Sequence, residues 1–364
     1  MNPDPRNAAP KIGAEQIDLL EKLCNACAVT GDESEVRAIV LEEVRPHAAE
    51  VKVDALGNVL VWRSGSSAEP RRKVMLAAHM DEVGMMLVMD DGDGLFRVET
   101  VGGLEVRQMA GKPVWVGREH IPGVIGAKPI HFMSGDDRRR APSLESLRVD
   151  VGSGSTKARV GDRATFATRF QRIGPSLRGK ALDDRLGVAT MIELLKHAPP
   201  NVDLLLAFTV QEEIGLRGAR VAAYTFDPHL AIVVDSTPAN DLPAWDRSEN
   251  TVYNCRLDRG PAIYLADSGT IADPRLARHL LATAEKHGLP YQVRQPGGGS
   301  TDASAIQRQR EGVPSISISV PGRYAHTAAM LARLADWENT LALLYYTLTD
   351  LTAEIIPLSG NGAK

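Results

Sequence analysis

The sequence predicts an α/β fold, a mostly parallel central sheet with helices on both faces, carrying an inserted small β-barrel-like domain. Two observations predict it. After residue 180, apolar strand-like runs alternate with helical patterns, an order that builds a parallel sheet covered by helices. Between 86 and 174 the pattern changes to short strand-like runs separated by glycines, with no long helical period. A chain of 364 residues suits two domains, here 1–85 with 175–364, and the insert 86–174.

The elements follow in order. Ile17, Leu20, Leu23, Cys24 and Cys27 recur at helical spacing, and a second helix follows with Val36, Ile39, Val40 and Val44. VKVDALGNVLVW reads as a hairpin turning at Gly57 and Asn58, and KVMLAA (73–78) as a buried strand. Within the insert, HFMSGDDRRRAPSLES reads as a solvated loop, and Met80, Met85, Met86 and Met89 as core filler. A helix near 184–197 precedes the strand VDLLLAFTV, and a short helix leads to LAIVVD. PAIYLA, a helix over 274–287, YQVR, a helix near 302–308, SISISV and a last helix over 336–352 complete the pattern.

Composition narrows the function classes. The formal net charge is −4, and no basic stripe interleaved with aromatics appears, which argues against a nucleic-acid surface. Three cysteines cannot build a disulfide framework, so a reducing, cytoplasmic location is expected. The opening MNPDPRNAAPKIG lacks the apolar stretch of a signal peptide, and no apolar run is long enough to span a membrane.

Acidic and histidine clusters stand directly after strands. His79 and Asp81 follow 73–78, Glu212 and Glu213 follow 203–210, Asp235 ends LAIVVD, and His326 lies just beyond SISISV. Asp183 and Asp184 precede a helix. Ligands of open α/β sheets bind at the carboxyl ends of strands, so these clusters can share one crevice. Three carboxylates and two imidazoles there suit one or two divalent metals. Asp81 could orient His79 through its other ring nitrogen. One of Glu212 and Glu213 could hold metal while the other serves as general base, and Asp183 could bridge two metals. Each piece also has a plain reading: adjacent acids favour a helix N-terminus, and an aspartate there can be a cap.

AAHMDEVG, GKALDDRLG, TVQEEIGLRGA, VVDST, GGGSTDASAI and GRYAHT together resemble the TET-type, or deblocking, aminopeptidases, over nearly the whole chain. The resemblance implies a dinuclear metallopeptidase fold and the removal of N-terminal residues from short peptides. It implies two divalent ions, Zn²⁺ or Co²⁺, bridged by Asp183, with His79 and Asp235 on one and Glu213 and His326 on the other. Glu212 would be the general base for a metal-bound hydroxide, and Asp81 would support His79. Self-association through the inserted β domain, as dimers building a dodecamer, is implied as well. Two features depart from the family: Ser300-Thr301-Asp302-Ala303 stands where Gly-Thr-Asp-Ala is usual, and the loop from Asp235 to Gly260 is long. Both bear on the substrate side-chain pocket.

Other readings are weaker. A related dinuclear deacylase or carboxypeptidase would need a group for a substrate carboxylate or acyl chain, such as Arg217 or Arg323. A catalytically inactive shell conflicts with an intact set of site residues. Cys24 and Cys27 share C-x-x-C spacing on an apolar helix face without a second pair, so core packing is the better reading. Asp90, Asp91, Asp93 and Gly94 resemble a calcium loop, but Val101 stands where its last acidic ligand belongs, so a hairpin turn is expected. His120 and His131 lie away from the clusters and read as structural.

Overall fold

A computed structural model describes residues 8–67, 71–154, 157–295 and 297–356; the first seven residues of the opening stretch lie outside it. Two amphipathic helices start the chain, α1 (Ala14–Asn25) and α2 (Ser34–Val44). They bury Leu20, Leu23 and Cys24, and Val36, Val40 and Val44. Cys27 is not on the α1 face as expected: the backbone turns extended at Ala26 and leaves it half-buried beyond the helix. The antiparallel hairpin β1 (Glu50–Val53) and β2 (Val59–Arg63) follows. Its turn forms because Asp54 Oδ1 accepts the N–H groups of Leu56, Gly57 and Asn58. The buried strand β3 (Arg72–His79) leads to the insert.

The insert is a closed six-stranded antiparallel barrel. Its strands are β4 (Gly84–Gly92), β5 (Leu95–Val101), β6 (Pro113–Val116), β7 (Ile121–Gly126), β8 (Arg148–Asp150) and β9 (Arg163–Phe166). The barrel order is β4-β5-β8-β7-β6-β9, which leaves no open edge. Met85, Leu87, Phe96, Val98, Val114, Ile125 and Val149 fill it. Met86 and Met89 are not core: strand alternation places Met85 and Leu87 inward and leaves Met86 half-buried, and a bulge in the β4–β5 pairing between Leu87 and Met89 breaks that alternation and leaves Met89 exposed. The solvated loop after β7 is exposed but holds a short helix, α3 (Gly135–Arg139), because Ser134 and Asp137 form a reciprocal capping box. Asp90 to Gly94 form the β4–β5 hairpin turn.

The chain then returns through β10 (Gln171–Ile173) and β11 (Ser176–Gly179) into the alternating half. Its elements are α4 (Leu182–Lys196), β12 (Val202–Thr209), α5 (Arg217–Phe226), β13 (Leu230–Pro238), β14 (Ala262–Ile263) and α6 (Pro274–His287). β15 (Gln292–Val293), α7 (Ala303–Ile306), β16 (Ser315–Arg323), β17 (Met330–Arg333) and α8 (Leu334–Thr349) complete it. All strands outside the barrel join one mixed sheet of eleven strands with the main order β1-β2-β12-β3-β13-β16-β17-β11-β10. β12, β3, β13 and β16 form its parallel centre, and antiparallel strands extend both edges. Alternation sets the layers. Val74, Leu76 and Ala78 face a core shared with α1, α2, α4, α6 and α8, while Met75 and Ala77 face α5 and α7. No helix of the described residues is long and apolar enough to cross a membrane.

Candidate metal centre and active site

Strand register gathers the site. β3 and β12 run parallel with His79 beside Thr209, so the loop carrying Glu212 and Glu213 leaves the sheet next to His79. β13 pairs with the other side of β3, Val233 beside Ala77, which brings Asp235 level with His79 two residues on. Asp183 enters from the start of α4, where it and Asp184 keep non-helical backbone ahead of the regular helix. His326 follows β16 on a loop with left-handed backbone at Tyr324 and His326. Ala181, Gln211 and Leu216 share that conformation on the other site loops, so uncommon backbone is concentrated where functional side chains must be aimed.

The candidate side chains meet. His79 Nε2 lies 3.4 Å from Asp183 Oδ1 and 3.8 Å from Asp235 Oδ1. On the other side, His326 Nε2 lies 3.6 Å from Asp183 Oδ2 and 3.4 Å from Glu213 Oε2. Donor atoms of His79, Asp183 and Asp235 fall within 4.8 Å of one another, as do those of Asp183, Glu213 and His326. Glu212 joins a third such group with His79 and Glu213.

Each imidazole is aimed by its other nitrogen. His326 Nδ1 is 3.0 Å from the carbonyl oxygen of Gly103, on the barrel connection after β5, so the insert reaches into the site. His79 Nδ1 is 3.1 Å from Asp81's backbone oxygen, nearer than Asp81's carboxylate at 3.5 Å. That carboxylate is mostly engaged elsewhere. It accepts the Thr30 hydroxyl at 2.8 Å and the backbone N–H groups of Glu212 and Glu213 at 3.1 and 3.2 Å. Asp81 therefore fixes the loop of the two glutamates as much as it orients His79.

The charge balance is one-sided. Burial, then the neighbouring carboxylates, push the acids of Asp184 and Asp235 well above the usual carboxylate range; burial does the same to Glu212. Burial lifts Glu213 to about 7. Burial opposes a charged His79, but the Asp183 and Asp81 carboxylates raise it overall, and Asp183 raises His326 to about 9. Among the described residues, no lysine or arginine side chain pairs with Asp183, Glu212, Glu213 or Asp235. Beyond the two imidazoles, these crowded, buried carboxylates have no cationic partner among the described residues, and the mixed oxygen and nitrogen donors suit divalent ions of the zinc kind.

Behind the site lies a network that the motif reading missed. Glu82 accepts Lys180 Nζ at 2.7 and 2.9 Å, the Thr165 hydroxyl at 2.9 Å and the Ala28 N–H at 2.9 Å. Arg185 is fully buried, donating to the backbone oxygens of Met80 and Asp81 and pairing with Glu82 at 3.4 Å. Asp184 accepts the His79 N–H at 3.3 Å. Lys180 and Arg185 flank Asp183 in GKALDDRLG, so the signal was a buried-type segment dense in charge. Asp302 was noted only as part of a variant motif. It accepts the Thr209 hydroxyl at 2.6 Å, and burial raises its acid to about 6. The arginines weighed for a carboxylate-binding site are placed otherwise: Arg217 is exposed at the start of α5, and Arg323 is paired with Asp241 at 2.6 and 3.0 Å. A separate group, Cys27, Glu35 and His120, joins α2 to the barrel through a 2.6 Å contact between His120 and Glu35.

The family model described as M42 glutamyl aminopeptidase matches residues 57–343, most of the chain. The chain belongs to the M42 aminopeptidase family. It is a peptide hydrolase. The lysyl aminopeptidase of Pyrococcus furiosus is 33% identical to this M42 chain over 92% of it and 97% of the relative. The solved aminopeptidase APDkam598 of Desulfurococcus kamchatkensis superposes with a TM-score of 0.89 at 36% identity, covering 96% of this chain and 99% of that one. The TET1 peptidase of Pyrococcus horikoshii, described as assembling into a tetrahedron or a large octahedral shell, has a TM-score of 0.80 at 29% identity, covering 92% and 100%.

Proposed function

We propose that this M42 chain is a dinuclear metal-dependent aminopeptidase that removes N-terminal residues from short peptides, with Glu212 as general base. The observation that carries the reading is Asp183, whose two carboxylate oxygens face two different donor groups. His79 and Asp235 would hold one ion, Glu213 and His326 the other, and Asp183 both. Two bound ions, Zn²⁺ or Co²⁺, supply Lewis acidity that polarises a scissile carbonyl and makes water acidic enough to attack near neutral pH.

This chain's own groups do the rest. Glu212 stands beside His79 and Glu213 on the loop anchored by Asp81, and its side chain forms no hydrogen bond among the described residues. It accepts a proton from the attacking water and returns it to the departing amine, work worth about 10²- to 10⁴-fold. Asp81 positions both glutamates and His79. The barrel, which supplies the Gly103 carbonyl to His326, is a second domain serving self-association, and a solved TET1 structure described as a dodecamer, 30% identical to this chain, makes a dodecamer the form to look for. Three free cysteines fit work in the cytoplasm.

The test is hydrolysis of free-amine aminoacyl-p-nitroanilides beside their N-acetylated counterparts, after chelation and after adding back Zn²⁺ or Co²⁺. Metal-restored cleavage of the free-amine set alone is expected. Cleavage of the acetylated set instead would make the protein a deacylase.

A further inference from the structure

Apart from the candidate centre at Asp183, one further group of mixed donors occurs among the described residues. The donor atoms of Cys27, Glu35 and His120 fall within 4.8 Å of one another. They come from three separate pieces of the chain: the stretch after α1, the first turn of α2, and the β6–β7 turn of the barrel. Unlike Cys24 and Cys255, Cys27 packs in none of the apolar clusters, so filling the core does not account for it.

The backbone around Cys27 is pinned from three directions. The Ala26 carbonyl accepts Lys180 Nζ at 2.6 Å, the Cys27 N–H donates to Glu35 Oε2 at 2.9 Å, and the Ala28 N–H donates to Glu82 Oε1 at 2.9 Å. His120 is aimed by left-handed backbone (φ 51°), uncommon outside glycine, and its Nε2 lies 2.6 Å from Glu35 Oε1. A cavity of about 20 Å³ opens beside Cys27, Glu35 and Trp115, room for about one water. The cations on its wall are answered elsewhere: Arg118 pairs with Asp32 at 3.0 Å, and Arg163 donates to the carbonyls of Thr30 and Gly161. A hydrogen bond between His120 and Glu35 accounts for two of the three residues and leaves the half-buried thiol over.

We propose that Cys27, Glu35 and His120 form a separate zinc site that clasps the helical layer to the barrel. Thiolate, carboxylate and imidazole are all zinc ligands, and three protein donors leave the fourth tetrahedral position to water. The thiolate and the carboxylate together neutralise the ion. Burial pushes the free Cys27 thiol up to about 12, which argues against a thiolate nucleophile, whereas a bound ion deprotonates a coordinating thiol outright. With bonds of about 2.0–2.1 Å, a tetrahedral ion parts the His120–Glu35 pair to about 3.3 Å. Both side chains are about a third exposed and can make that shift.

The experiment titrates the chelator-stripped full chain with Co²⁺ and reads near-ultraviolet absorption. A thiolate on Co²⁺ gives an intense sulfur-to-metal charge-transfer band, which the oxygen and nitrogen donors of the Asp183 centre cannot give. The parent should show that band, and Zn²⁺ should displace it. Cys27→Ser should lack it, and His120→Ala should need at least about tenfold more Co²⁺ to reach half of it. No band in the parent overturns the site, and so does a band that persists in Cys27→Ser or an unshifted midpoint in His120→Ala. Should a variant fail to fold, iodoacetamide labelling of Cys27 in the parent, mapped by mass spectrometry, decides instead. Zn²⁺ should slow that labelling, and equal rates with and without Zn²⁺ overturn the site. Every one of these outcomes leaves the aminopeptidase reading to its own hydrolysis test.

Discussion

Asp183 presents Oδ1 to His79 at 3.4 Å and Oδ2 to His326 at 3.6 Å, so one carboxylate ties together donors from opposite ends of the chain. Glu212 has the opposite character: it stands close to the donors with no side-chain partner among the described residues. Glu212→Gln keeps the shape of the site and removes the proposed proton acceptor. Its metal content should match the parent's by elemental analysis, while turnover falls by about 10²- to 10⁴-fold. Full activity in that variant would refute the assignment. Glu82 is the residue on which the buried cations behind the site depend. Glu82→Gln removes the carboxylate that Lys180 and Arg185 pair with and leaves both cations buried with neutral acceptors alone, which should cost about 3–5 kcal/mol in urea unfolding at neutral pH. Burial alone would raise the Glu82 acid, but Lys180 and Arg185 outweigh it and lower it. A lowered folded value stabilises above the unfolded carboxylate's value, about 4.3, and that contribution is lost as pH falls through the folded value. The parent should therefore lose stability on acidification more steeply than Glu82→Gln, as read from urea midpoints at neutral and acid pH.

At the scale of elements, the helices and central strands were legible because their periods are clean: β3, β12 and β13 alternate between two apolar layers, and α1 and α2 carry one buried stripe each. The short strands β11 and β17 were not. SLRG and MLAR have little strand character of their own and are strands because they pair with each other and β17 with β16. Asn58 makes the same point at the β1–β2 turn. Its fully buried side chain accepts the Val210 N–H at 3.0 Å and donates to the Gly218 carbonyl at 3.1 Å, tying the hairpin to both ends of the Glu212–Glu213 loop. Gly218 is glycine because a Cβ there would overlap Asn58 Oδ1 and the Val210 backbone. Gly218→Ala should lower stability by about 1–3 kcal/mol in thermal or urea unfolding. It should also lower kcat, since the loop holding Glu212 must shift; unchanged unfolding would show that the hairpin yields freely.

For the whole molecule, the candidate site is a junction. Its donors come from β3, the start of α4, the loop before α5, β13 and the loop after β16, and its His326 rests on a carbonyl of the barrel. If two ions occupy that position as proposed, they would bind the folded chain and not the unfolded one and add to stability by mass action, about 2.7 kcal/mol for each site held at a hundredfold over its dissociation constant. Chelation should therefore lower the Tm by several degrees in calorimetry, and Zn²⁺ or Co²⁺ should restore it. An unchanged Tm would mean that the donors hold no ion tightly.

What the sequence determined by itself is the alternating half of the fold, the change of pattern at the barrel and the residue types of the site, because periodicity and motif order are properties of the chain alone. Folding decided which atoms face one another. Parallel register set His79 level with Asp235, and non-helical backbone before α4 turned Asp183 toward both imidazoles. The same is true of Lys180 and Arg185, whose partners cannot be read from the sequence. They acquire meaning only when burial removes water and leaves specific partners to answer them.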